Sequence, residues 1–217
     1  MQQITFPLTT NKYKKSDFIK SEANSQSFDS IDNWPDGQWG VPPYPKTLIV
    51  QGPKSSGKTF LAHNWVENSG AKFISLDPPF NGEVIHTNNA FIIENIDHVN
   101  DEYQLLHYFN MFNECDKYLL MTCTKLPDIK LPDLNSRLRA TNIININCPD
   151  DKLIQMLIFK FFSTYSIKVK PDVISYLLNH LPRRFDAIIE SLEVINQYAL
   201  ESKHKITIPL IKKALNS

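Results

Sequence analysis

The sequence of 217 residues has few glycines and cysteines, no net charge and no long apolar run, and each shortage excludes a class of protein. Its 23 basic and 23 acidic residues cancel, so no overall positive field attracts it to DNA or to an anionic membrane. No apolar run approaches the roughly 18 residues of a membrane span, and the first residues lack the form of a signal peptide.

The three cysteines, Cys115, Cys123 and Cys148, are scattered and form no C-x-x-C pair. That spacing favours free thiols over a disulfide framework or a zinc site, as is typical of a reducing compartment. We therefore expect a cytoplasmic protein with no membrane contact.

Only six glycines occur, and two of them lie in the stretch Gly52–Thr59, which fits the phosphate-binding pattern G-x-x-x-x-G-K-[ST]. Gly52 and Gly57 allow a tight turn that points backbone N–H groups at phosphate oxygens. Lys58 would place a cation on the β- and γ-phosphates, and Thr59 would offer its hydroxyl to Mg²⁺. The remaining predicted contacts of this loop with nucleotide are Pro53, Ser55, Ser56 and Phe60.

The flanking residues agree with a phosphate loop. Residues 47–51 are typical of a short buried strand, and residues 59–67 are typical of a helix whose N-terminus attracts an anion. The alternative is a loop that keeps this shape but binds no nucleotide.

A second apolar run, residues 90–95, has the form of a Walker B strand, which ends in a carboxylate facing the phosphate loop. Glu94 takes the usual position of an aspartate and is, with Thr59, the predicted Mg²⁺ contact. Asn95 follows where a hydrolysing enzyme normally has an acid, and an amide is a poor base. We therefore expect nucleotide binding with weak hydrolysis. Asp97 is expected to point elsewhere and to cap the next helix.

Thr122 or Thr124, at the end of the predicted strand 118–123, could contact a γ-phosphate or the attacking water, the role called sensor I in AAA+ ATPases. Further strands are predicted at 72–76 and 143–146, and helices dominate after Pro149. This order predicts an α/β AAA+ domain with a five-stranded parallel sheet, followed by a small all-helical lid. We expect a peptide at residues 1–15, a base domain at 16–148 and a lid at 149–217.

The N-terminal peptide Gln3–Leu8 is short and apolar and lies outside any predicted element. It either joins the core of this chain or docks as an extended peptide in a partner's pocket. Its composition does not decide between the two.

Several segments together resemble the Hda family, within the DnaA-like AAA+ superfamily. Asp17–Ile19, with Asn24, resembles the segment that frames adenine in DnaA-type ATPases. Glu94–Asp97 resembles the Walker B segment of Hda. Leu131–Leu138 resembles box VII, Lys205–Lys212 resembles the last lid helix, and Gln3–Leu8 resembles the clamp-binding peptide. The sequence also ends after the lid, without the DNA-binding domain of DnaA, which favours Hda over DnaA.

The resemblance implies a regulatory adaptor. Such a protein binds ADP or ATP with Mg²⁺, docks on the DNA polymerase sliding clamp, and stimulates hydrolysis of DnaA-bound ATP, so that it represses replication initiation. DNA would be reached only through the clamp, and a homo-oligomer is allowed. The implied site residues are Gln3, Phe6, Pro7 and Leu8 for the clamp, Phe18 and Ile19 for adenine, and Arg137 as an arginine finger supplied to the partner.

Four departures accompany the resemblance, one of which is Phe6, where the clamp peptide often has Leu. Glu94 is longer than the usual aspartate, and the sensor I region ends in Thr124 where relatives tend to have Asp. Arg183 and Arg184 lie near the sensor II position of the lid, but the best register places Asp186 there. For Arg137 the alternative is a local salt bridge to Asp133 or Asp128, and Arg139 is a second candidate for the finger. The alternative functions are an autonomous P-loop ATPase or kinase, and a DnaA-like module that tethers or loads onto DNA.

Overall fold

The computed structural model describes residues 13–35, 39–76 and 84–216. Within them, five parallel strands form one sheet in the order β2-β3-β4-β1-β5. The strands are β1 (Thr47–Gln51), β2 (Lys72–Phe73), β3 (Ala90–Ile93), β4 (Tyr118–Cys123) and β5 (Asn142–Asn145). This sheet and the helices after it confirm the predicted fold class.

The described residues also form nine α-helices. They are α1 (Ser25–Asp32), α2 (Lys58–Ser69), α3 (Val84–Thr87), α4 (Glu102–Glu114), α5 (Pro132–Ala140), α6 (Asp151–Thr164), α7 (Pro171–His180), α8 (Phe185–Ser202) and α9 (Ile208–Leu215). None of these helices has the length and apolar character needed to cross a membrane.

The central strands are buried on both faces, which explains their continuous apolar runs. In β1, Leu48 and Val50 face a core with Leu61 and Trp65 of α2, whereas Ile49 faces a second core with helix α4. Because β1 lies between β4 and β5, the loop after β1 emerges between the ends of these two strands at the sheet's carboxyl edge. Nucleotides bind at this edge in open α/β sheets.

The N-terminal segment packs beside β5. Asn147 N–H donates to Ala23 O (2.9 Å), and Ser27 Oγ donates to Asn145 O (3.2 Å). These bonds partly cover an edge strand that would otherwise leave its backbone groups unpaired. They also fix the residues before α1 next to the phosphate loop.

Helices α6–α9 have a core of their own, centred on Ile158, Leu177, Leu192 and Ile211. Asp150 caps α6 by accepting a hydrogen bond from Leu153 N–H, and Thr207 caps α9 through Leu210 N–H. Proline occupies the first turn of α7 and of α9, where its missing N–H costs nothing. The helical character predicted from residue 149 onward is thus found in the structure.

Candidate functional site

The loop between β1 and α2 has a backbone that only small or flexible residues permit. Gly57 has φ of 98°, in the left-handed region, and starts the turn into α2. A Cβ on Gly52 would lie 2.8 Å from the Ile146 Cβ, closer than packed carbon atoms approach. The two glycines of the motif are therefore required by this shape, which directs the N-terminus of α2 toward the loop.

Lys58 is buried and folds back over its own loop. Its ammonium donates hydrogen bonds to Gly52 O (2.8 Å) and Pro53 O (2.9 Å). Burial lowers the pKa of Lys58, while the nearby charges of Asp97 and Glu94 act in the opposite direction. Phosphate oxygens are stronger acceptors than backbone carbonyls, so an anion in the loop would compete for these donors.

Thr59 and Glu94 meet beside the loop, with the Thr59 hydroxyl 2.6 Å from Glu94 Oε1. Hydroxyl and carboxylate oxygens are ligands that Mg²⁺ accepts, and Mg²⁺ usually completes its shell with phosphates and water. Among the described residues no cluster of three or more His, Cys, Asp or Glu could hold a metal by itself. The pair therefore fits a Mg²⁺ ion that arrives with the nucleotide, and the longer side chain of Glu94 still reaches Thr59.

A hydrogen bond between Asn95 and Thr122 links the ends of β3 and β4. Asn95 has φ of 55°, its side chain is exposed, and its N–H donates to the Thr122 hydroxyl at 3.1 Å. Thr122 is only 1% exposed. Both residues lie at the strand ends that face the phosphate loop, and their assignment to the γ-phosphate or the attacking water stays a prediction.

The interpretation of Asp97 as a helix cap is wrong. Asp101 caps α4, accepting from Gln104 N–H, whereas Asp97 lies in a 3₁₀ turn, Ile96–His98, before it. Asp97 Oδ2 accepts a hydrogen bond from Thr124 N–H at 2.9 Å. The positive φ of Asn95 reverses the chain and brings this carboxylate over the end of β4, which strand alternation alone does not reveal.

A pocket of about 300 Å³ lies between the base and the lid, next to the phosphate loop. The predicted adenine residues Phe18 and Ile19 line it, together with Phe60. Asn24 is buried and shapes this wall, because its side chain donates to Ile19 O and accepts from Ser21 N–H. The pocket is also lined by Ser55, Ser56, Gly57, Leu157, Lys160, Phe161, Phe185 and Ile189.

The lid residues of this pocket were not found from the sequence. Leu157 and Phe161 belong to the amphipathic helix α6, and their spacing indicates only a packed face. Lys160 bridges lid and base, since its ammonium donates to Asp17 O and lies 3.9 Å from Asp17 Oδ1. A lysine on a helix gives no sequence signal for this contact.

Arg183 and Arg184 are the predicted nucleotide contacts of the lid. In the structure each forms a salt bridge with an aspartate of the lid. Arg183 donates to Asp151, and Arg184 Nη2 donates to Asp186 Oδ2 at 2.7 Å. Arg184 is 72% exposed, and its hydrogen bond lowers the pKa of Asp186. Their role in nucleotide binding stays a prediction.

Arg137 lies on α5, and its guanidinium contacts Asp133 and Tyr44, neither of which lines the pocket. The hydrogen bonds that Arg137 donates to Asp133 raise the pKa of Arg137 further, so the group is charged at any physiological pH. Arg139 donates to Asn135 Oδ1 at 2.7 Å. The predicted clamp residues Gln3, Phe6, Pro7 and Leu8 lie outside the described residues.

Comparisons with known families support the resemblance found in the sequence. Residues 151–215 match the model of the Hda lid domain. A protein of Haemophilus influenzae described as uncharacterised is 30% identical over 125 residues, which are 54% of this chain and 53% of the relative. The chain thus spans about half the length of the curated relative that it matches.

Solved structures show the same fold. Domain III of the replication initiation protein DnaA from Thermotoga maritima has a TM-score of 0.74 at 14% identity, covering 97% of this chain and 98% of the other. DnaA from Aquifex aeolicus, bound to AMPPCP, has a TM-score of 0.69 at 16% identity, covering 88% and 67% of the two chains. At these identities the likeness establishes the fold alone.

Proposed function

We propose that this chain, whose residues 151–215 match the Hda lid model and whose fold is that of DnaA domain III, is a regulatory adaptor of replication initiation. In this proposal it binds ADP or ATP with Mg²⁺ in the cytoplasm, docks on the DNA polymerase sliding clamp and contacts ATP-bound DnaA. It then stimulates hydrolysis of the ATP on DnaA, which represses initiation.

Nucleotide binding is supported by the pocket between lid and loop. Lys58 and the N-terminus of α2 supply positive charge, the Thr59–Glu94 pair fits Mg²⁺, and Phe18 offers an apolar wall to a base. The similar DnaA of Aquifex aeolicus was solved with the ATP analogue AMPPCP. A nucleotide in this pocket would touch both lid and base, so it would stabilise their closed arrangement.

The observation that carries the adaptor proposal is the combination of an Hda-type lid with an arginine displayed away from its own nucleotide pocket. Arg137 is 30% exposed on α5, and its partners Asp133 and Tyr44 lie outside the pocket lining. An arginine that cannot serve its own phosphate loop is suited to that of a neighbour. There it would neutralise charge that develops on the γ-phosphate, an effect of about 10³–10⁵ in rate in well-studied NTPases.

The experiment measures hydrolysis of ATP pre-bound to the cognate DnaA, with clamp-loaded DNA, in the presence and absence of this protein. We expect strong stimulation that needs the clamp and is lost in Arg137→Ala. Arg139→Ala, altered two residues away on the same helix, should retain it. No stimulation by wild-type protein that still binds ADP would contradict the adaptor proposal and favour a DnaA-like module with another partner.

The clamp contact is tested separately because Gln3, Phe6, Pro7 and Leu8 lie outside the described residues. The double variant Phe6→Ala and Leu8→Ala should lose binding to the isolated clamp and keep ADP binding. Unchanged clamp affinity in that variant would show that another surface of the chain binds the clamp.

A further inference from the structure

A pocket with a basic lining lies in the lid, between the end of α8 and helix α9, and it has no part in the proposed function. Its volume is about 650 Å³. Its polar lining includes Tyr198, Lys203, His204, Lys205, Thr207 and Lys213. None of these residues lines the pocket beside the phosphate loop, so the two pockets are separate sites.

The lysines of this pocket have no acidic partner among the described residues. Three lysines that precede α2 each pair with an aspartate, whereas no ion pair of the described residues includes Lys203, Lys205 or Lys213. Glu201 is the one acid in residues 198–216, and its Oε1 accepts a hydrogen bond from Gln197 Nε2 at 3.0 Å. The pocket therefore carries a local positive charge, although the charges of the whole chain cancel.

The backbone between the two helices spreads these lysines along the pocket. Lys203 has φ of 55°, and His204 N–H closes the end of α8 on Ala199 O at 3.1 Å. Glycine is the usual residue at such a left-handed helix end, and a lysine there costs conformational energy. Thr207 is the N-cap of α9, and Lys213 lies about 9 Å further along this helix. The basic side chains therefore start from well-separated points, which suits a ligand with more than one charged group.

The chemistry of the lining favours phosphate over carboxylate. Arginine is the residue that recognises carboxylates with two parallel bonds, and no arginine is among the described residues that line the pocket. Lysine is depleted in protein–protein interfaces, whereas surfaces that bind nucleic acid are strongly positive. One strand of DNA carries a phosphate about every 3.4 Å along the helix axis, so a surface about 9 Å long faces two or three phosphates.

We propose that this pocket of the lid binds a ligand that carries two or more neighbouring phosphates. The ammonium groups of Lys203, Lys205 and Lys213 donate to the phosphate oxygens and displace their counterions. The backbone of duplex DNA and a free polyphosphate compound share this chemistry. The site belongs to the lid alone, so this inference rests neither on the proposed nucleotide site nor on the role of Arg137.

The test measures binding of two probes to the full chain, with excess Mg-ADP present to occupy the phosphate loop. One probe is a short fluorescein-labelled DNA duplex followed by anisotropy, and the other is inorganic pyrophosphate followed by calorimetry. If the duplex is the ligand, we expect its affinity to fall about 10–40-fold between 50 and 200 mM salt, as two or three phosphate contacts predict. If a free polyphosphate is the ligand, pyrophosphate should bind and the duplex should not.

The triple variant Lys203→Ala, Lys205→Ala and Lys213→Ala should lose this binding and its salt dependence, because each lysine accounts for about one unit of the salt slope. The matched control is Lys152→Ala, Lys168→Ala and Lys170→Ala, which removes the same charge from exposed lysines of the same lid. The control should bind both probes as wild type does.

A single variant, Lys203→Gly, guards against misfolding as the cause of a loss. Glycine accepts the left-handed backbone of residue 203, so this variant should melt no lower than wild type while it binds the probe more weakly. Unchanged ADP affinity in every variant would keep the result separate from the nucleotide site.

Binding of either probe that is lost in the pocket variant and kept in the control supports the inference and identifies the source of the phosphates. No binding of either probe by wild type, or equal losses in the two triple variants, would overturn it. A loss of affinity for the clamp or DnaA in the pocket variant, without binding of either probe by wild type, would assign the surface to an acidic protein and overturn it as well.

Discussion

Arg137 and Asp133 form a two-pronged pair on α5: Arg137 Nε lies 2.9 Å from Asp133 Oδ1, and Nη2 lies 3.2 Å from Oδ2. A third bond joins Arg137 Nη1 to the Tyr44 hydroxyl at 3.2 Å. The pair is partly exposed, so its contribution to stability is small, about 0–1 kcal/mol. Its effect is orientation, since an isolated arginine side chain would sample many rotamers.

Asp133→Ala should therefore weaken the stimulation of DnaA-bound ATP hydrolysis without abolishing it. The rotamer freedom of a free arginine is about 2 kcal/mol, and only part of it is removed by this pair, so we expect a loss of several-fold. Arg137→Lys should lose far more, because an ammonium cannot form two parallel bonds. The measurement is the single-turnover rate on DnaA-bound ATP. A rise in rate for Asp133→Ala would show that Asp133 competes for the guanidinium instead of orienting it.

Gly57→Ala should impair nucleotide binding more than stability. The backbone of Gly57 is left-handed, which costs an alanine about 1–2 kcal/mol, and its Cβ would lie 3.3 Å from Phe18 in the pocket wall. Gly70→Ala is the control, because Gly70 also has positive φ but a Cβ there meets no atom within 4 Å. Urea unfolding should show similar losses for both variants, and ADP titration should show a loss of at least about tenfold for Gly57→Ala alone. Equal ADP affinities of the Gly57→Ala and Gly70→Ala variants would show that the nucleotide does not bind beside Gly57.

Lys160→Ala should shorten the residence time of ADP. Lys160 joins the lid to Asp17 at the edge of the pocket, and such partly exposed ion pairs contribute about 0.2–1 kcal/mol. That range corresponds to an increase of up to about fivefold in the ADP dissociation rate, measured by stopped-flow with a fluorescent ADP analogue. Lys152→Ala, exposed near the start of the same helix, should leave the rate unchanged. If both variants release ADP at the wild-type rate, the bridge does not hold the lid on the nucleotide.

Cys123 should resist thiol reagents in the folded protein, whereas Cys115 and Cys148 should react. Cys123 is fully buried, and burial is the main cause that raises its pKa to about 12, so the reactive thiolate is absent at ordinary pH. Cys115 and Cys148 are exposed. Labelling with a maleimide at pH 8, followed by mass spectrometry, should give two adducts in native buffer and three in urea. Three rapid adducts in native buffer would show that the end of β4 opens.

Much of the fold was predictable because its signals are local. The continuous apolar runs of β1 and β4 and the turn residues around them predict buried parallel strands, and the phosphate loop fixes the order of strand, loop and helix. Strand β2 is shorter than predicted, Lys72–Phe73, and both of its residues are exposed at the sheet edge. An edge strand has few packing partners, so its apolar pattern overstates its length.

The geometry of the site was less predictable because it depends on single backbone angles and on contacts between distant segments. The inward turn of Asp97 needs the left-handed conformation of Asn95, which many residue types in that position would not adopt. The bridge from Lys160 to Asp17 joins residues 143 positions apart. Neither periodicity nor a motif carries information about such pairs.

Tyr13, the first described residue, stacks on His63 of α2 with ring centroids 4.3 Å apart and also meets the Phe60 ring edge-on at 5.6 Å. Five peptide units separate Leu8 from this anchor, and a chain of that length spans at most about 18 Å. If the clamp holds the residues up to Leu8, it can stand only that far from the surface of α2. So short a linker gives the clamp and the rest of this chain a high effective concentration relative to each other, about millimolar. It would also restrict the orientations in which a clamp-bound molecule can meet its neighbour on DNA.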